Sequence, residues 1–336
     1  MLLSWPHEWP ASTITFLTGI MRVCARLFYK ERMGEIWDTN PYLLGFEDGV
    51  FDLSPDVCAL RPGRPEDFVT KSVGYPCPCD REFNEDHPMV LEFHTFLDRV
   101  FPDPELRAYA LDYLADLLEG KNKRKTFLVW TGKGDNGKSM MLDLVKYILG
   151  GYAVVRSCTI LTGRRTQSSQ ATPELADLAG VRFVALNEPD AKDVINVGML
   201  KEMTGGDAFF ARGLFKAGGE VVPMFKMVLL CNVLLGLTGS DAALWNRVRV
   251  LTFETRFVDA AECDGLDESE MAARRKFPKD LDLKAKLSDM RYAAMWVLLC
   301  HFRRLALHPD TRTRDPDASN PLAISVFSDF DVRRMK

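Results

Sequence analysis

Two kinds of hydrophobic spacing divide the chain. Between residues 12 and 30, apolar Ile14, Phe16, Leu17, Ile20, Met21, Cys24 and Leu27 recur every three or four positions, the spacing of one helix face. Short apolar runs at 42–44 and 50–53 flank Asp48-Gly49, a dipeptide that favours a tight turn between strands. Residues 74–88, rich in Pro and Cys, read as a loop. Helical patterns follow at 89–100 and 104–118. Asp103 is placed to cap the second of these, and Pro104 fills its first position.

Past Arg124 the pattern changes. Phe127-Leu-Val-Trp130, residues 181–186 and residues 227–231 are apolar runs of strand length, separated by helical stretches such as 139–149, which stops at Gly150-Gly151. This alternation predicts an α/β fold around a parallel sheet. A charged stretch, 259–279, precedes a strong helical pattern at 283–307, and polar residues 308–321 read as a flexible linker. The organisation expected is a small, mostly helical accessory domain with a β-hairpin at 1–123, an α/β core at 124–257, and a C-terminal helical segment with a tail at 258–336.

Composition narrows the function. The chain has 336 residues, 47% of them hydrophobic, which is enough for a sizeable core and excludes wholesale disorder. With 43 Lys+Arg against 47 Asp+Glu the net charge is −4, so any contact with nucleic acid must come from a local patch and not from bulk charge. No apolar run reaches the roughly 18 residues of a membrane helix. The first ten residues lack the basic-then-apolar pattern of a secretory signal, so a cytoplasmic location is expected. The 8 cysteines are scattered and are expected to be reduced. Cys77-Pro-Cys79 with His87 and His94 would supply four zinc ligands, but one residue between cysteines is an unfavourable spacing, and a Pro-rich turn is the expectation.

The chemistry concentrates in Gly132-Lys-Gly-Asp-Asn-Gly-Lys138-Ser139, which satisfies G-x-x-x-x-G-K-[ST] directly after an apolar strand and directly before a helix. In such a loop the backbone N–H groups of Gly132, Gly134, Asp135, Asn136, Gly137 and Met140 turn toward phosphate oxygens, and the helix N-terminus adds a favourable dipole. Lys138 would neutralise the β- and γ-phosphates of ATP, and Ser139 would hold Mg²⁺. Hydrolysis also needs a carboxylate that orients water. Glu188 ends the apolar run at 181–186 and fits that role, while Asn187 stands where an acidic metal-orienting residue is usual. Asn232 ends the next apolar run and offers an amide to the γ-phosphate or the lytic water; an ordinary turn asparagine is the alternative. Arg247 and Arg249 follow, either as surface ion-pair partners or as a charge delivered to a neighbouring subunit's γ-phosphate.

The order of these motifs, with Lys201-Glu-Met-Thr-Gly-Gly-Asp207-Ala-Phe-Phe-Ala-Arg212 between Glu188 and Asn232, resembles a viral superfamily 3 helicase. The Lys-x-x-x-Gly-Gly-Asp-x-x-x-Ala-Arg string is similar to the branch that holds the poxvirus primase-helicase and phage primase-helicases. Asp38-Thr-Asn-Pro-Tyr-Leu-Leu44 and Asp48-Gly-Val-Phe-Asp-Leu53 resemble the region that precedes the helicase there. The resemblance spans about residues 38–257. It implies an AAA+-like ATPase core, a homo-oligomeric ring, most often a hexamer, around single-stranded or forked DNA, and a primase domain or protein as a further partner. It also implies a pore hairpin at about 209–224, in which Lys216 contacts DNA phosphates with Phe215 beside it and Arg212 supports the hairpin or reaches DNA. Lys138, Glu188, Asn232 and Arg247 would be the catalytic set, with Ser139, Asn187 and Glu188 around the metal. The reading is an ATP-dependent DNA helicase of viral or phage replication. A P-loop ATPase that loads or packages DNA without unwinding it, and a nucleotide-regulated scaffold, are the alternatives.

Overall fold

The computed structural model describes residues 11–28, 35–162, 171–188, 194–213, 218–232 and 245–313. The chain divides into two compact units, Met1–Trp37 and Asp38–Lys336. The first is built around helix α1 (Ala11–Leu27), whose apolar residues Phe16, Leu17, Ile20, Met21 and Leu27 are exposed.

The second unit opens with an antiparallel meander of β1 (Leu43–Gly45), β2 (Val50–Asp52) and β3 (Ala59–Arg61). The first turn falls at Asp48-Gly49 as the pattern predicts; β3, three residues long, is too short to show a period. Helix α2 (Pro88–Val100) is capped by His87, whose Nδ1 accepts the Met89 N–H at 3.2 Å. Helix α3 (Pro104–Asp116) is capped by Asp103, which accepts from Glu105 and Leu106 at 2.8 and 3.0 Å. His87 is thus a helix cap, and in the Pro-rich turn the sulfurs of Cys77 and Cys79 lie 3.1 Å apart.

The remaining strands are β4 (Phe127–Thr131), β5 (Ala153–Arg156), β6 (Phe183–Leu186), the antiparallel hairpin β7 (Phe209–Arg212) and β8 (Gly218–Val221), β9 (Lys226–Cys231) and β10 (Val248–Thr252). Five of them form one parallel sheet in the order β10-β4-β9-β6-β5, the expected α/β architecture. The helices of this region are α4 (Lys138–Leu149), α5 (Thr159–Thr162), α6 (Pro173–Ala176) and α7 (Val197–Gly205). After β10 come β11 (Arg256–Val258), α8 (Glu268–Ala273), β12 (Lys276–Pro278) and α9 (Leu283–Leu307); β11, just before the stretch that the sequence marks only as charged, pairs in parallel with β12 inside it.

Side chains alternate across the sheet with the strand period of two. Leu128, Trp130, Phe183, Ala185, Val228 and Leu251 share one core with α2, α3, α4 and α9. Phe127, Val129, Val184, Leu186, Met227 and Leu229 share the other with α7 and the β7–β8 hairpin. Residues 38–123 therefore cover one face of the sheet together with α9, within a single compact unit. The polar segment after α9 is tied down at its start. Arg312 pairs with Asp116 at 2.5 Å, and the Thr313 N–H donates to Asp112 at 2.7 Å.

Two buried cations mark the amino ends of β6 and β9. The Arg182 guanidinium donates to the carbonyls of Asn40 and Leu43 at 3.2 and 2.9 Å. The Lys226 ammonium donates to the carbonyls of Asp116 and Glu119 at 2.6 and 3.0 Å, at the C-terminal end of α3, where the helix dipole favours a cation. Desolvation nevertheless pushes Lys226 down to about 8 from its ordinary 10.5. Gly120 lies against Arg182, and a Cβ there would occupy the position of the guanidinium.

Both cations give testable consequences. Between pH 8 and 10.5 the unfolded chain holds a proton on Lys226 that the folded chain has lost, so stability rises with pH across this window. Measured by denaturant unfolding, wild type should gain about 1–3 kcal/mol relative to Lys226→Met between the two ends of the window; a pH-independent difference would contradict the burial penalty. Gly120→Ala should lower stability by about 2–4 kcal/mol, because the added methyl displaces a buried charge from its carbonyl partners. An unchanged melting temperature would show that the guanidinium has room to move.

Candidate functional site

The carboxyl end of a parallel sheet is where loops from several strands converge. Here β4 runs into the loop 132–137 and then α4. The loop's backbone demands its glycines: Gly132 and Gly137 have φ of +150° and +86°, and a Cβ on Gly137 would press on Val100 and Phe257. Asn136, buried, braces the loop from inside. Its amide donates to the Phe253 carbonyl at 3.2 Å and its oxygen accepts the Lys138 N–H at 3.3 Å. Ser139 is exposed in the first turn of α4, with Met140 beside it on the same cavity wall.

Strand β9 lies between β4 and β6, and this order decides what meets Lys138. The Lys138 ammonium donates to the Gly132 carbonyl and, at 3.2 Å, to the Asn232 side-chain oxygen. Asn232 in turn donates twice to Glu188, from its backbone N–H at 2.8 Å and from its amide at 3.0 Å. Lysine, amide and carboxylate thus form one bonded series across the ends of β4, β9 and β6. Burial lowers the Lys138 pKa, with the Cys231 thiol and Glu188 opposing the shift.

The other residues singled out by sequence are placed differently. Asn187 is exposed, and its N–H donates to the Arg156 carbonyl of β5, on the side of β6 away from the loop. Arg247 sits at the opposite end of the sheet: its carbonyl accepts the N–H of Phe127, where β4 begins. A strand's length, about 15 Å, separates it from the loop of its own chain. Arg249 lies within β10 and donates to the carbonyls of Asn246 and Val248 at 3.1 and 2.9 Å. Arg212 ends β7, exposed, with its backbone paired to Thr172 just before α6. Phe215 and Lys216 lie outside the described residues.

The loop opens into a cavity of about 850 Å³, most of whose walls carry no sequence signature. Leu91, Thr95 and Arg99 of α2, Phe257 of β11, and Leu281 and Lys284 near the start of α9 line it together with residues 134–140 and Asn232. The Phe257 N–H donates to the Asp135 carbonyl at 2.8 Å, and Lys279 pairs with the Asp135 carboxylate at 3.6 Å, so this wall is fastened to the loop. Among the described residues no three His, Cys, Asp or Glu side chains are grouped to hold a metal ion. The Ser139 hydroxyl and the Glu188 carboxylate are hard oxygen donors of the kind Mg²⁺ takes alongside phosphate oxygens and water, so the donor set suits Mg²⁺.

The D5 N terminal like family matches residues 13–102. A putative helicase of Acanthamoeba polyphaga mimivirus is 37% identical over 294 residues, covering 88% of this chain and 30% of that protein. A putative helicase of Frog virus 3 is 33% identical, covering 84% of this chain and 34% of that protein. A putative primase of African swine fever virus is 25% identical, covering 79% and 27%. Among solved structures, the C-terminal region of NrS-1 aligns with a TM-score of 0.48 at 13% identity, over 84% of this chain and 60% of that one. The chain spans about a third of the length of the curated relatives it matches. Among the described residues no helix is long and apolar enough to cross a membrane. The chain is related to the primase-helicase-like proteins of large DNA viruses.

Proposed function

From a chain related to the replication helicases and primases of large DNA viruses, we propose an ATP-driven translocase that moves along single-stranded DNA and parts the duplex at a fork. The observation that supports this reading most directly is the bonded series Lys138, Asn232, Glu188 at the ends of three neighbouring strands.

In this reading the loop amides and Lys138 bind the β- and γ-phosphates of ATP, and Ser139 would be the protein's main ligand to Mg²⁺, with Glu188 nearby; Asn187, turned toward β5, takes no part. Bound Mg²⁺ supplies charge neutralisation at the phosphates. Glu188 orients the attacking water. Asn232 links the two: a γ-phosphate oxygen competes for the Lys138 ammonium and the Asn232 amide, which frees the Glu188 carboxylate for water. Binding of substrate and arming of the base are thereby one event.

Arg247 stands at the far end of the sheet from its own loop, so it completes a site only when a second copy presents it. This favours a ring, six copies in the reading proposed, in which each site lies between two chains. The β7–β8 hairpin, with Arg212 at the end of β7, is the element proposed to touch DNA, together with Phe215 and Lys216 that follow Arg212 in the sequence.

The test uses the purified chain with ATP and forked DNA. Lys138→Ala should abolish ATP binding; tight binding by this variant would overturn the phosphate-cradle assignment. Arg247→Ala should bind ATP yet lose about 10³-fold or more in hydrolysis. Mixing these two inactive variants should restore part of the ATPase activity, because each supplies what the other lacks. No recovery would count against an arginine shared between subunits. DNA-stimulated hydrolysis without strand displacement would favour a loading or packaging motor, and ATP-dependent assembly without DNA stimulation a scaffold.

A further inference from the structure

The phosphate loop forms only one end of the cavity of about 850 Å³, and the rest of that space is lined by apolar Leu91, Phe257 and Leu281 among charged side chains. We propose that the nucleoside half of the bound triphosphate lies between α2 and the segment joining β12 to α9, held by Leu91, Phe257 and Leu281. This rests on reading the Lys138 loop as a triphosphate site, and it adds residues that neither the loop motif nor the strand-end residues would suggest.

Size, continuity and chemistry each support the assignment. Small-molecule sites run to about 300–1,000 Å³, so the cavity holds a whole nucleotide where a triphosphate alone would fill a fraction of it. The wall is in register with the loop because Phe257 donates its N–H to Asp135 and its ring closes against Gly137, which has no Cβ to keep it away. A nucleotide whose phosphates lie on the loop therefore meets Phe257 at a fixed distance along its length.

The apolar groups are where a base would need them. Leu91 is 51% exposed and Leu281 90% exposed, and both line this one cavity. A single exposed leucine is ordinary on a protein surface. Two that line the space containing the phosphate loop offer apolar contact to a base. Several of the charged groups around them are paired: Lys286 with Asp280 at 2.8 Å and with Glu92 at 3.6 Å, and Arg99 with Glu268 at 3.1 Å.

The consequence is that α2, inside the region matched by the D5 N terminal like family, touches the nucleotide directly. The region before the loop is then part of the ATP site.

The experiment compares ligands with and without a nucleoside. Calorimetric titration of the full chain with Mg-ATP and with magnesium and inorganic tripolyphosphate separates the two halves of the site. In the double variant Leu91→Ala/Leu281→Ala, whose changes are at exposed positions and leave the fold intact, the Kd for ATP should rise about tenfold while that for tripolyphosphate changes less than about twofold. Phe257→Ala should show the same selectivity. Equal weakening of both ligands, or weakening of neither, would overturn the nucleoside seat while leaving the loop assignment standing. A wild-type chain that binds neither ligand would bring down the triphosphate reading itself, and the seat with it.

Discussion

The placement of one strand governs the chemistry of this molecule. Because β9 is inserted between β4 and β6, the lysine and the carboxylate are two strands apart and an amide stands between them. Strand spacing of about 4.8 Å makes that gap close to 10 Å, too far for direct contact and right for one bridging side chain. Asn232 has both an acceptor and donors, so it can hold Lys138 with one and Glu188 with the others. An aspartate in its place would attract the lysine but repel the glutamate. A leucine would leave both unconnected.

The sheet can take this role because it is rigid on both faces. Every residue of β4 and β6 is buried, which a parallel sheet achieves only when it is covered above and below. One cover is made by α7 and the hairpin, the other by α2, α3, α4 and α9. The amino ends of the strands are closed differently, by the buried cations Arg182 and Lys226 set against backbone carbonyls. These groups are held at a cost in desolvation, and what they join is the meander and α3 to the start of β6 and β9. Both ends of the sheet are thus held by polar groups: the carboxyl end by a series that opens on the cavity, the amino end by buried cations.

Much of this was legible in the sequence, and the line between what was and was not follows the range of the interactions. The Lys138 loop, the end of β6 and the end of β9 each have local patterns, because an apolar run followed by a turn residue is visible within ten positions. The caps of α3 and the bounds of α9 were visible for the same reason. The partnership of Lys138 with Asn232, 94 residues apart, rests on strand order, which periodicity does not encode. Nor do β11, before the charged stretch, and β12, inside it, show in the sequence, since three-residue strands in parallel pairing draw their stability from Phe257 and Phe277 and from the loop they touch. Buried Arg182 and Lys226 read as surface residues until the carbonyls around them are seen. The expectation of an accessory domain at 1–123 rests on a change in pattern near Arg124; the pattern does change there, and one core runs across it.

That shared core bears on how such a chain can vary over generations. Leu128 and Trp130 in the middle of the sheet touch the same cluster as Val90, Phe93 and Leu97 of α2, so a change of volume on either side has to be answered on the other. Recombination that joined this sheet to an unrelated leading segment would leave half its interior unmatched. The meander, its two helices and the sheet are therefore best regarded as one heritable piece, free to gain or lose neighbours at its edges but not to be divided at residue 123.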